Sequence, residues 1–186
     1  MKETILKIIY KFYPKEIDSN VESYSSSLEQ RHLKSAIKSA TANISKWNNF
    51  LSNLKIETNN TYEINDWTQF FNNDACYTCR LSYSSIDNEL IDLVINISII
   101  SDYYSIYVSK IKKIDNTFSI PIISFDTSNI NSDLINTIRN SLFLFFPNYK
   151  NFPSNLAFEI VDNVSIGNKN IGEANFFDCI FTTHIW

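Results

Sequence analysis

The chain has 186 residues and a formal net charge of −4, from 16 Lys and Arg against 20 Asp and Glu. Its 44% apolar and 19% charged residues suit a folded chain with a sizeable core, and the acidic balance argues against a protein that coats nucleic acid. With only Gly167 and Gly172, a glycine-rich phosphate loop is excluded, and with only His32 and His184 the field of metal and acid–base enzymes is thin.

Taken in order, Ile5, Ile8, Ile9 and Phe12 share one face of a helix over residues 4–13, which Pro14 stops. Residues 15–25 are polar and serine-rich and read as a loop. Ser26, with Glu29 three residues on, reads as a capping box opening a long helix. Along it Leu33, Ile37, Ala40, Ile44, Trp47, Leu51 and Leu54 recur in a heptad stripe. Such a stripe serves as a coiled-coil seam or lies across a sheet. Ala40 and Trp47 are unusual in a seam, so the sheet-covering reading is preferred.

Residues 58–73 are ambiguous: the run from Asp66 to Phe71 suits a short capped helix or an irregular strand. The period then changes to two. Tyr77, Cys79, Leu81 and Tyr83 alternate with polar residues over 75–85, and Ile91 to Ile99 do so over 89–101. Tyr104, Ile106 and Val108 continue the pattern to about Lys113. Phe118, Ile120 and Ile122 lead a fourth strand, where Pro121 marks an edge or bulge. Short polar turns make this an antiparallel meander. Ile130, Leu134, Ile138, Leu142 and Phe145 line a second helix that starts near Asn131 or Ser132 and ends at Pro147. Residues 156–166 and 175–185 read as two closing strands around Gly167 and Gly172.

The expected architecture is therefore one α+β domain over 1–186. Residues 1–57 are helical, 58–128 a β-meander, 129–147 a helix and 148–186 closing strands. The sheet has about six strands, with the long N-terminal helix and the second helix packed on it.

Chemistry-bearing residues are sparse. Cys76, Cys79, Cys179 and His184 are formally a zinc set, but on a strand Cys76 and Cys79 point to opposite faces, so free thiols are expected, with no metal and no cofactor. No nucleophile or carboxylate pair singles itself out beside His184, and His32 reads as solvated, so no enzymatic activity is expected. The odd cysteine count, the lack of a leader-like N-terminus and the absence of a long apolar run point to a cytoplasmic protein without a membrane partner.

Charge is divided unevenly. Residues 1–57 hold 9 Lys and Arg against 6 Asp and Glu, and the remainder holds 7 against 14. In an up-and-down meander Asp74, Asp102 and Asp126 fall on one rim, spanning roughly 10–15 Å. Asp87, Glu89 and Asp115 fall on the other, diluted by Lys110, Lys112 and Lys113. An acidic rim suits a protein that blocks a basic active site, whereas acidic residues are also ordinary turn formers. Asp74, Asp102, Asp126, Asp87 and Glu89 are the candidate partner-binding residues.

The stretch from Ile160 to Ile166, followed by Ile171-Gly172-Glu173-Ala174-Asn175-Phe176-Phe177-Asp178-Cys179-Ile180-Phe181, resembles closing segments of bacterial immunity proteins, the antidotes encoded beside polymorphic toxins of the contact-dependent growth-inhibition type. The resemblance covers about 30 residues. It implies a non-enzymatic protein, monomeric or weakly dimeric, that binds a cognate toxin domain and blocks its active site. The acidic balance points to a nuclease as that toxin. The runner-up is another non-enzymatic adaptor or a phage-encoded binding protein.

Overall fold

The computed structural model describes residues 1–86, 88–114 and 117–183. The chain opens with α1 (Lys2–Phe12), α2 (Glu22–Ser26), α3 (Leu28–Ala42) and α4 (Ile44–Glu57). The strands β1 (Glu63–Asp66), β2 (Cys76–Ile86), β3 (Glu89–Ser98), β4 (Tyr103–Ile114), β5 (Thr117–Phe118) and β6 (Ile122–Ser124) follow. Then come α5 (Ser132–Phe145), β7 (Lys150–Asn151) and α6 (Phe176–Ile180). The strands form one sheet in the order β1-β2-β3-β4-β5, with β6 and β7 also paired to β4. All pairings are antiparallel except β4 with β7. The fold class is thus α+β with a meander sheet. Among the described residues, no helix is long and apolar enough to cross a membrane.

The alternation in β2, β3 and β4 sends side chains to two separate cores. Tyr77, Cys79, Leu81, Leu93, Ile95, Ile97, Ile106 and Val108 face α4 and α5, where they meet Trp47, Phe50, Leu54, Ile138 and Leu142. Trp47 stacks on Tyr77 and on Phe50, with ring centroids 5.1 and 5.3 Å apart. Cys76, Val94, Tyr103 and Tyr107 face the other way. They pack with Ile5, Ile9 and Phe12 of α1 and with Phe176, Phe177, Ile180 and Phe181. This α1 face also encloses polar residues: Thr78, Asn96, Ser98, Ser105 and Ser109 are all buried. Thr78 donates to Asn96 at 2.9 Å, but Asn96 Nδ2 and the hydroxyls of Ser105 and Ser109 have no hydrogen-bond partner.

The expected long helix is two helices. Asn43 (φ −105°, ψ 25°) ends α3 and opens α4. Its N–H keeps the last helical bond to Ser39 O, shared with Ala40 O, and its Nδ2 also donates to Ser39 O at 2.9 Å, so the side chain closes the end of α3. The heptad stripe is therefore split. Leu33 belongs to the α1-side core, Trp47 and Leu54 to the other, and Ile44 is only half-buried. The N-cap is Ser27 rather than Ser26. Its hydroxyl accepts from the Gln30 N–H at 3.1 Å, while Ser26 closes the short α2 within the expected loop.

Residues 58–73 resolve into β1 and a 3-10 turn at Phe70–Asn72. The expected fourth strand breaks into β5 and β6 around Pro121, which cannot donate to the ladder. Asn131 caps α5, its side chain accepting from the Asp133 and Leu134 N–H groups, as the sequence predicts. The two closing strands do not form among the described residues. Isolated bridges stand in their place, and Phe176–Ile180 is helical. A capping box between Asn175 and Asp178 starts that turn. Its residues are buried all round, so no hydrophobic period marks it.

The N-terminal segment is clasped to this late part of the chain. Lys15 bridges Val164, the Glu16 N–H donates to Asn163 O at 2.9 Å, and the Ser19 N–H donates to Ser165 Oγ at 2.9 Å. Tyr24 Oη donates to Ser165 O at 2.8 Å.

Candidate interaction surface and polar cleft

The long strands outrun the elements that cover them. At about 3.3 Å per residue the 12 residues of β4 reach about 40 Å, whereas the 14 residues of α5 reach about 21 Å. One end of the sheet is therefore left bare. In β4 the side chains pass from buried at Tyr103–Ser109 to exposed at Lys112, Lys113 and Ile114, apart from a half-buried Tyr104. In β3 the gradient runs the other way, from a half-buried Glu89 to a buried Ser98. The register places Glu89 opposite Lys112, Lys113 opposite Phe118, and Lys110 opposite Ile122. The strand period then sorts Leu90, Lys113 and Phe118 onto one face, and Glu89, Lys110, Lys112, Ile114 and Ile122 onto the other. Phe118 is 62% exposed, Ile122 71% and Ile120 87%. Both faces of this end thus present apolar side chains beside charge, Lys113 on one face and Glu89, Lys110 and Lys112 on the other.

The three expected rim aspartates do not share a rim. Asp74 is only 6% exposed and accepts from Thr182 Oγ1 at 2.7 Å, because the segment after α6 folds over the start of β2. Asp102 is exposed at that same end, but Lys150 stands beside it: its N–H donates to Asp102 O and its ammonium lies 5.1 Å from the Tyr103 ring centroid. Asp126 is elsewhere. β6 ends at Ser124 opposite Val108, five residues along β4 from Tyr103, so Asp126 never reaches that end. It lines a small cleft of about 110 Å³ with Lys110, Tyr83 and Ile91, toward the bare end. Hydrogen bonds from Ser128 hold its carboxyl below the ordinary aspartate range. Glu89 is on the bare end itself, and Asp87 lies outside the described residues.

The cysteines divide as strand geometry demands. Cys76 and Cys179 lie in the α1-side core and Cys79 in the other, all fully buried, while His184 is outside the described residues. Burial pushes all three thiols upward, helped by Asp74 at Cys76, by Asp66 at Cys79 and by Asp178 at Cys179. Among the described residues, no group of three or more His, Cys, Asp or Glu gathers as metal ligands would. Arg80 pairs with Asp92 and stacks on Trp67, 4.6 Å from the ring centroid.

A cleft of about 230 Å³ opens on the α1 face between the N-terminal helices and the segments around Asp74 and Asp178. Asp178 accepts from Lys169 Nζ at 2.6 Å and from the Asn175 N–H at 2.8 Å, both on Oδ2. Its Oδ1 has no partner, and its side chain is fully enclosed. Sequence reasoning missed this carboxylate, although Asn175 with Asp178 three residues on is a capping signature. It also missed the bare end, because alternation at Phe118, Ile120 and Ile122 reads as an ordinary half-buried strand.

Compared with protein-family models, curated proteins and solved structures, the chain matches none.

Proposed function

We propose that this chain is a non-enzymatic immunity protein, which binds a cognate toxin domain and docks it on the bare end of the sheet. The observation that carries the reading is the two-sided apolar end formed by Leu90, Ile114, Phe118, Ile120 and Ile122. Clustered exposed apolar side chains rimmed by charge are the composition of protein interfaces rather than of ordinary surface. The resemblance of residues 160–181 to immunity-protein segments supports the same reading. The net charge of −4 favours a basic partner by long-range steering. With Asp74 enclosed and Asp126 displaced, no three-aspartate rim supports a nuclease cleft in particular. Among the original candidates, Glu89 and Asp126 sit toward the proposed interface.

The test is binding kinetics between the purified protein and the toxin domain encoded by the adjoining gene. A double variant, Phe118→Asp with Ile122→Asp, is expected to weaken binding by about a hundredfold or more while the melting temperature holds. Full affinity in that variant would move the interface elsewhere. Failure of the unmutated protein to bind the toxin would remove the immunity reading and leave an adaptor with another partner.

A further inference from the structure

The small cleft lined by Asp126 lies on the α4/α5 face of the sheet, next to the bare end. Its walls are apolar: Ile91 and Val108 on neighbouring strands, Ile130 ahead of α5, and Tyr83. Val108 and Ile130 are buried, whereas Ile91 and Tyr83 are only half-buried. The Asn131 N–H donates to Tyr83 Oη at 3.3 Å, and the Tyr83 ring stacks on Tyr62 with centroids 6.0 Å apart, which fixes that wall. The register puts Lys110 between Ile91 and Ile122, so the cleft continues into the exposed apolar surface.

Two groups of opposite charge also line it. Asp126 is exposed, and the Ser128 N–H donates to its Oδ1 at 2.9 Å, which holds the carboxyl below its ordinary range and ionised at neutral pH. Lys110 is half-buried. Among the described residues, neither is in an ion pair. The volume of about 110 Å³ exceeds the roughly 10–15 Å³ that one water needs and leaves room for a side chain. An incoming group must therefore fill an apolar slot and answer both an anion and a cation. Leucine or phenylalanine would strip water from the two charges and return no hydrogen bond. Lys110 opposes an arginine, Asp126 opposes a carboxylate, and an indole offers only a donor. A phenol is an apolar ring whose hydroxyl both donates and accepts.

We propose that this cleft is the socket for a tyrosine side chain of the toxin domain, its ring against Ile91, Val108 and Ile130 and its hydroxyl donating to Asp126 and accepting from Lys110. The socket rests on the immunity reading above and gives the interface its anchor. Aromatic anchors seated in pockets carry much of the binding energy of protein interfaces.

The experiment has two arms, both on the full-length chain. In the first, N-acetyltyrosinamide, N-acetylphenylalaninamide and N-acetylargininamide are titrated in turn and followed by proton–nitrogen correlation spectra. The tyrosine probe is expected to shift the backbone signals of Ile91, Val108 and Asn129 saturably, and the other two to bind at least about threefold more weakly. Asp126→Asn and Lys110→Met should each weaken the tyrosine probe by about three- to tenfold and leave the phenylalanine probe unchanged. The two residues lie on different segments, so if one variant fails to fold the other decides. In the second arm, tyrosines of the toxin domain encoded by the adjoining gene are changed to phenylalanine one at a time. One of them should weaken the complex about tenfold, and that loss should shrink in the Asp126→Asn background. Tyrosine and phenylalanine probes that bind alike, or no saturable shift with either, would overturn the socket and leave the immunity reading standing. A selective tyrosine probe with no toxin tyrosine coupled to Asp126 would overturn the toxin as the source of the phenol. A toxin that does not bind at all would overturn the immunity reading, and that source with it.

Discussion

Where Cys76 pairs with Ser98 the sheet is closed on both faces: Cys76, Ile97, Ser98 and Tyr103 are all buried. Where Glu89 pairs with Lys112 the same strands continue in unbroken register, yet Lys112, Lys113 and Ile114 are exposed. The two ends share residue types and backbone geometry and differ in what lies above them. Even polarity fails to separate them. Ser105 and Ser109 are enclosed at the covered end, while Ile120 and Ile122 are in solvent at the other. Burial in this sheet follows the reach of α4, α5 and the C-terminal segments more closely than the hydrophobic pattern of the strands.

The sharpest way to break that comparison is to remove a side chain from the covered part. Trp47→Ala should cost about 3–5 kcal/mol, because Trp47 is fully buried between Phe50 and Tyr77. Urea unfolding would show it, and a loss below about 1 kcal/mol would mean that α4 does not anchor the core.

A second test is alkaline pH. In the folded chain the thiols of Cys76, Cys79 and Cys179 are raised by burial, whereas in the unfolded chain they titrate near about 8.5. Above that value the unfolded state binds fewer protons, so stability is full below it and falls as pH rises. Each thiol contributes a slope of about 1.4 kcal/mol per pH unit. Unfolding free energies measured at intervals from neutral pH upward should show that decline, and Cys→Ala variants should flatten it. Rapid labelling of the native thiols at neutral pH would contradict the enclosed placement.

Smaller effects sharpen the contrast. Ser105→Ala and Ser109→Ala remove buried hydroxyls that have no partner, so each should leave stability unchanged or raise it by up to about 1 kcal/mol. A loss of about 2 kcal/mol would mean that ordered waters bridge these groups. At the bare end, Ile120→Asp should change stability by less than about 0.5 kcal/mol, measured by thermal melting, despite placing a charge at an apolar position.

Much of the framework was legible because alternation and capping are local signals. The three long strands, their antiparallel order and the Asn131 cap of α5 all follow from neighbouring residues. What the sequence hid depends on contacts between distant segments. Nothing near Asp74 announces that Thr182 will cover it. Nothing in the heptad stripe tells that Asn43 will hand its two halves to different cores. Phe176 to Ile180 alternate nowhere, so a short enclosed helix and a buried strand look alike there. Of the candidate site residues, Glu89 falls where the sequence implied, at the end of the sheet opposite Asp102. The aspartate rim failed because β6 stops early and the chain after α6 folds back.

The clasp between residues 15–24 and 163–165 has a consequence for synthesis. During translation α1 precedes some of its core partners, Phe176 to Phe181, by some 160 residues. At about 5–20 residues per second the ribosome takes about ten to thirty seconds to supply them. Over that interval Ile5, Ile9 and Phe12 have only part of their native surroundings, from α3 and the sheet, while the β2–β3–β4 hairpins, local in sequence, can already pair. Phe176 to Phe181 therefore complete, long after α1 is made, the core in which α1 packs. Slowing translation late in the message should lengthen the time that the N-terminal helix stays open to chaperones.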